Sequence, residues 1–275
     1  MSIRDPVRAI LRLASFSPLV LLLTACSSNA LLATWLCRQS SSTGQPDSGA
    51  SDGGVWFQSP WSTSFENNTC EYSEGNGSCY ATGSASLRIV EAPVHKGHYA
   101  AAFTVVGDGS NSGPSTNSRC HRDGELPRQA YYGAWYYIPT LAKNSGNWNL
   151  IHFQGGDGPG PDLVGLWDVS LVNNANGGLR LTVADYVKNS SIPDMSDSPP
   201  IPIGTWFHIV MYLKRASDAT GEVSLTQDDV PIMQATNLIT DNTPYGQWYV
   251  GNLATNLDPA ESTLYVDDVQ VGPEP

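Results

Sequence analysis

Ten residues narrow the fold more than any others. In "WFHIVMYLKR", residues 206–215, side chains alternate between apolar and mixed. Phe207, Ile209, Met211 and Leu213 fall on one side, and Trp206, His208, Tyr212 and Lys214 on the other. A period of two belongs to a β-strand with one face in a core, because successive side chains leave a strand on opposite faces. From Val55 onward similar short runs recur, among them "SLRIV", "HYAAAFTVV", "YYGAWYYIP", "VGLWDVSLV", "LRLTVADYV", "GEVSLTQD" and "TLYVDDVQVG". Gly, Pro, Asn and Asp separate them, and helical periodicity is almost absent. About a dozen strands in roughly 220 residues predict one all-β domain, a two-sheet antiparallel β-sandwich of jelly-roll type.

The start of the chain has a different character. Arg4, Arg8 and Arg12 precede the apolar run "PLVLLLTA", and Cys26 follows. A positive segment, an apolar segment and small residues before a cysteine form a secretory signal. Its end, Leu23-Thr24-Ala25-Cys26, resembles a bacterial lipobox, which predicts a lipid on Cys26 as the mature first residue. Ser27 follows where an Asp would retain a Gram-negative lipoprotein in the inner membrane, so the expected location is the cell envelope, at the outer membrane or cell surface. Residues 38–54, "RQSSSTGQPDSGASDGG", have no apolar period and read as a flexible tether. The expected organisation is a signal peptide over 1–25, a lipid-anchored linker over 26–54 and the jelly roll over 55–275.

Charge excludes one class of partner. Losing the leader removes three Arg and one Asp, so a balance of 14 basic to 26 acidic residues becomes 11 to 25. Nucleic acid needs a basic surface and is not expected. The membrane is reached only through the lipid, and a monomer is expected. An exported chain can hold disulfides. Cys70 and Cys79 flank the short turn "CEYSEGNGSC" and are the expected pair, which leaves Cys37 and Cys120 unassigned.

Several chemistries lack their motifs. The eight Glu are never spaced as the paired carboxylates of a retaining glucanase. There is no G-x-S-x-G, H-E-x-x-H or P-loop, and no Cys/His cluster has zinc spacing. Polar residues instead share strand faces. "NWNLIHFQGG", residues 147–156, puts His152 and Gln154 on one face, and "SRCHRDGEL" does the same for Arg119, His121 and Asp123.

The order of strands has a familiar look. "GTWFHIVMYLKRASDATGEVSLTQDDVPI" resembles the concanavalin A-like jelly roll, with Asp228-Asp229 at the hairpin where relatives carry Asn-Gly or Asp-Gly. Within that superfamily, residues 62–272 resemble polysaccharide lyases of the heparin lyase I type, and alginate lyases more distantly. The resemblance implies β-elimination on an extracellular polysaccharide containing uronic acid. Such a lyase neutralises the uronate carboxylate, removes the C5 proton and protonates the group leaving C4. In this lyase reading the candidate base is His152, the candidate acid Tyr249, and the candidate substrate-binding residues are Arg119, His121, Gln154, Trp167 and Asn252. This chain departs from the family pattern at three strands. The Glu of the family's R-x-E is His121, the order of Gln and His is reversed so that the family's His falls on Gly156, and the late Tyr falls on Leu253, with Tyr249 sharing that face. A non-catalytic carbohydrate-binding or adhesion module on the same fold is the alternative, and a purely structural envelope lipoprotein is a third reading.

A structural calcium ion is the one cofactor expected. In "YVDDVQV" strict alternation puts Asp267 on the face of Val269 and Val271, where a carboxylate needs a partner or a cation. Similar jelly rolls pair such a residue with an acid near the first strand, here Glu66.

Overall fold

The structure is a computed structural model and describes residues 59–275 apart from 68–71, 73–76, 108–115, 161, 188–191 and 241–242. The expectations for the leader, Cys26, Cys37, Cys70 and the tether lie outside those residues. In chain order the strands are β1 (Trp61–Thr63), β2 (Gly77–Ala81), β3 (Ser86–Val90), β4 (Ala100–Val106), β5 (Thr116–Gly124), β6 (Gln129–Tyr137), β7 (Lys143–Asn144) and β8 (Trp148–Gly156). They continue as β9 (Val164–Asn173), β10 (Leu179–Asp185), β11 (Trp206–Lys214), β12 (Gly221–Gln227), β13 (Val230–Leu238), β14 (Tyr245–Ala254), β15 (Leu257–Asp258) and β16 (Glu261–Gly272). No helix occurs among the described residues. An eight-stranded sheet runs β13-β12-β11-β6-β16-β4-β3, with β1 also on β16, and a six-stranded sheet runs β10-β9-β8-β14-β5-β2. All their pairings are antiparallel, so the predicted two-sheet β-sandwich is the fold.

The core lies between the sheets and follows the alternation. Phe207, Ile209, Met211 and Leu213 of β11 are buried, and Trp206, His208, Tyr212 and Lys214 are only partly so. From the six-stranded side, Phe153, Trp167, Val169, Trp248 and Val250 meet them. The hairpin between β12 and β13 is a two-residue loop, and Asp228 and Asp229 both have positive φ, 51° and 63°. Both central positions of a type I′ turn need positive φ, which Asp tolerates better than most residues.

A β-bulge on β16 breaks the alternation there. On β16 the register shifts between Asp267 and Gln270, where Asp268 has φ 45°. Leu264 and Val266 before the shift and Val269 and Val271 after it are buried in the core. Asp267 therefore lies on the outward face beside Trp135, and does not share a face with the two valines. On β14 a register shift against β8 falls between Val250 and Leu253, next to Gly251.

The disulfide also differs from the expected pair. Cys79 bonds Cys120, not Cys70. The two stand opposite each other on β2 and β5, with Cα atoms 4.0 Å apart, so pairing of the strands delivers them within bridging distance. Closeness in sequence had favoured Cys70; sheet register decides for Cys120.

Candidate active site

The polar residues converge on the outward face of the six-stranded sheet. Antiparallel register sets one row directly across five strands: Ser78 of β2, His121 of β5, Tyr249 of β14, His152 of β8 and Asp168 of β9. Opposed residues on one face lie within side-chain reach. A second row holds Asp123, Gln247 and Gln154. Arg119 and Tyr80, paired across β5 and β2, lie on the other side of the first row.

Tyr249 is at the centre and is 6 % exposed. Its ring stacks on His121, with centroids 5.0 Å apart, and His152 approaches from the other side at 5.5 Å. Gln154 Nε2 donates to the Tyr249 hydroxyl at 2.6 Å, and that hydroxyl donates to Gln247 Oε1 at 2.5 Å. Burial is the main force pushing the Tyr249 phenol well above its ordinary pKa, so it holds its proton at neutral pH.

Each imidazole is tied to a carboxylate. His152 Nδ1 hydrogen-bonds Asp168 Oδ1, and the other Asp168 oxygen accepts from the Tyr186 hydroxyl at 2.9 Å. An ionised carboxylate can only accept, so Nδ1 carries the proton and Nε2 keeps a lone pair. Burial and then the charge of Asp168 raise the Tyr186 phenol to about 12.

Arg119 is 5 % exposed. It donates to Asn149 Oδ1, and its guanidinium carbon lies 5.5 Å from the centre of the Tyr249 ring. Desolvation lowers its pKa against the pull of Tyr80, Asp168 and Tyr249. It places a positive charge beneath the row.

Two expected substrate-binding residues are elsewhere. Trp167 is fully buried in the core, and its indole donates to the Thr240 carbonyl at 2.7 Å. Alternation in "VGLWDVSLV" sends Trp167 inward and Asp168 outward, so the outward residue of that strand is the carboxylate. Asn252 is also fully buried; it accepts from Trp148 Nε1 and donates to the carbonyls of Phe103 and Ser262. Alternation along β14 puts it on the inward face with Trp248 and Val250, opposite Tyr249. His121, His152, Gln154, Arg119 and Tyr249 do come together. The sequence reading missed Asp168, Gln247, Asn149, Tyr80 and Ser78. A polar residue on the outward phase of "VGLWDVSLV" and of "QWYVGNL" was the available signal for Asp168 and Gln247.

The expected calcium ligands Glu66 and Asp267 each accept backbone amides of one turn. Glu66 accepts the amide of His98 at 3.0 Å and that of Tyr99 at 3.3 Å. Asp267 accepts the amides of His95, Lys96 and Asp268 at 2.9, 3.2 and 2.8 Å. Among the described residues no three of His, Cys, Asp and Glu gather as a metal site. The two carboxylates instead clasp the same turn, residues 95–99.

Comparison with known proteins agrees with this architecture. The chain is similar to an endo-β-1,4-glucuronan lyase from the fungus Trichoderma reesei, at 20 % identity over 70 % of this chain and 90 % of that one, with a TM-score of 0.51. An alginate lyase solved with an alginate trisaccharide shares 12 % identity over 79 % and 99 % of the two chains, with a TM-score of 0.56. A cellulose-induced protein is as close in shape, at 14 % identity, 78 % and 98 % coverage and a TM-score of 0.52. At such identities these likenesses speak for the fold alone. No curated protein sequence matches. Residues 59–270 match the polysaccharide lyase family, a span from just before β1 into β16. The chain belongs to the polysaccharide lyase family.

Proposed function

We propose that the row around Tyr249 cleaves a uronic-acid-containing polysaccharide by β-elimination. The observation that carries this reading is the contact of Tyr249 with Gln154 and Gln247 beside an imidazole whose Nδ1 is fixed by Asp168. His152 Nε2 takes the C5 proton. The electrons left behind form the C4–C5 double bond, the C4–O bond breaks, and Tyr249 gives its proton to the leaving oxygen. The raised pKa of Tyr249 suits an acid and not a base. The amides of Gln154 and Gln247 hold the uronate carboxylate, and the buried charge of Arg119 lowers the cost of the carbanion from beneath. Lyases among the structural neighbours, named for glucuronan and alginate, support a uronate polymer as substrate.

The leader supports a lipid on Cys26 and an envelope location. Both belong to this reading and not to the fold; a Cys26→Ser protein released from membranes would support them.

A panel of glucuronan, alginate and heparin tests the activity. The expected result is new ultraviolet absorbance from the unsaturated product with at least one polymer. Binding without any such product would leave the family fold serving as a carbohydrate-binding module.

A further inference from the structure

The elimination uses His152 and leaves His121 without a task, although His121 is the better connected of the two. Its Nδ1 lies 2.5 Å from Asp123 Oδ1, and its Nε2 lies 2.7 Å from Ser78 Oγ. Asp123 as a carboxylate accepts from Nδ1–H, so Nε2 is left to accept the Ser78 hydroxyl proton. Tyr245 also hydrogen-bonds Asp123 and helps to fix it. A nucleophile, a base and a carboxylate that orients the base are in hydrogen-bond contact in that order, and such a set is recognised by geometry and not by sequence position. None of its parts is sealed off: Ser78, His121 and Asp123 are all partly exposed.

A donor for the developing oxyanion is also in place. Among the described residues β2 pairs with β5 alone. The short Cα separation of Cys79 and Cys120, 4.0 Å, marks a pair that does not exchange backbone hydrogen bonds, so the Cys79 N–H points away from β5. It is the amide directly after Ser78. Serine hydrolases use the amide after the nucleophile in this way.

We infer that Ser78, His121 and Asp123 form a second catalytic centre, an esterase that removes O-acyl groups from the bound polysaccharide. Ser78 Oγ attacks the acyl carbonyl carbon and its proton passes to His121 Nε2. The bond from the acyl carbon to the sugar oxygen breaks, and His121 returns the proton to that oxygen, leaving a free hydroxyl and an acyl-Ser78. Water then attacks the acyl carbon, gives one proton to His121, and releases the carboxylic acid as Ser78 Oγ recovers that proton. The sum is ester plus water to alcohol plus acid. The centre sits one ring away from the eliminating acid, since His121 stacks on Tyr249. An acyl group that would block elimination at a sugar can thus be removed on the same face.

The choice of polysaccharide ester rests on the lyase reading; the ester chemistry does not, and two assays separate them. The full chain is given p-nitrophenyl acetate and O-acetylated glucuronan, and acid release is measured beside formation of unsaturated product from unacetylated glucuronan. Ser78→Ala is expected to lower acid release at least 10²-fold. A fluorophosphonate should label Ser78 in the unmodified protein, which tests the nucleophile without any variant. Acid release that survives Ser78→Ala overturns the proposal, as does an unmodified protein that neither releases acid nor takes the label on Ser78. Esterase activity without elimination would sink the lyase reading alone.

Discussion

The two outward faces of the sandwich each carry a histidine bonded to an aspartate through Nδ1, and the two serve different ends. On the six-stranded sheet His152 meets Asp168, and its ring opens toward Tyr249. On the eight-stranded sheet His95 meets Asp268 at 2.6 Å, but its ring lies flat on Trp135 at 3.8 Å, and Trp135 stacks in turn on His208 at 4.8 Å. The first imidazole faces a phenol and two amides that can exchange protons or bind substrate. The second is packed in an aromatic stack. A His–Asp pair is therefore not a catalytic signature by itself. What decides is the company of the other ring nitrogen.

The sharpest way to break this comparison is to remove each ring. His152→Ala is expected to lower elimination by about 10²–10⁴-fold, the usual cost of a positioned base, with little change in melting temperature. His95→Ala should do the reverse, lowering the melting temperature and sparing turnover. Equal loss of activity from both would erase the distinction.

The next effect concerns the sheets themselves. The Cys79–Cys120 bond spans 41 residues and ties β2 to the six-stranded sheet. Replacing both cysteines with Ser should cost about 4 kcal/mol through the freed unfolded chain, as read from urea unfolding. A change below 1 kcal/mol would mean that β2 is held by its other contacts.

Glycines offer a smaller, paired test. Gly97 has φ +78°, and a Cβ there would stand 2.2 Å from Glu66 Oε1. Gly177, in the turn between β9 and β10, has φ +81° and open space around it. Gly177→Ala should cost only the left-handed strain, about 1–2 kcal/mol. Gly97→Ala should cost more, because the Glu66 clasp must also give way. Equal losses in thermal unfolding would show that the clasp contributes nothing.

The smallest effect is in acid. Burial lowers the His208 pKa below its ordinary 6.5. The native state then resists a proton that the unfolded chain accepts, so this share of stability is complete above pH 6.5 and declines as pH falls through the folded value. Asp267 works in the opposite direction. Burial raises it from 3.8 to about 6, so the native state takes a proton first and gains stability as pH falls from about 6 toward 4. His208→Gln should therefore make the protein relatively more stable near pH 5 than near pH 8. Melting temperatures across that range check it, and an unchanged slope would argue against a depressed His208.

Legibility in the sequence stopped at the β16 bulge. Alternation placed the β11 core, the His152–Gln154 pair and the Arg119–His121–Asp123 face correctly, since those strands are regular there or continue in phase. It failed at Asp267, which adjoins a register shift that no local residue pattern announces; Asn252 shares the inward phase of Trp248 and Val250, so alternation itself told against a place on the outer face. The disulfide failed for a related reason: the partner of Cys79 is set by pairing with a strand distant in sequence. Asp168 was hidden by its neighbour Trp167, which drew attention as an aromatic although its phase pointed inward.

The position of β14 between β5 and β8 has a kinetic consequence. Tyr249 meets Gln154 across 95 residues of chain, and the strand that carries it follows both of its neighbours in the sequence. Until it inserts, the six-stranded sheet is two separate halves with bare edges, and the Tyr249 row is incomplete. Long loops must close before such contacts form, so folding should be slow and activity should appear in one late step with β14 docking. A chain in which β14 has not yet docked is thus inert by topology.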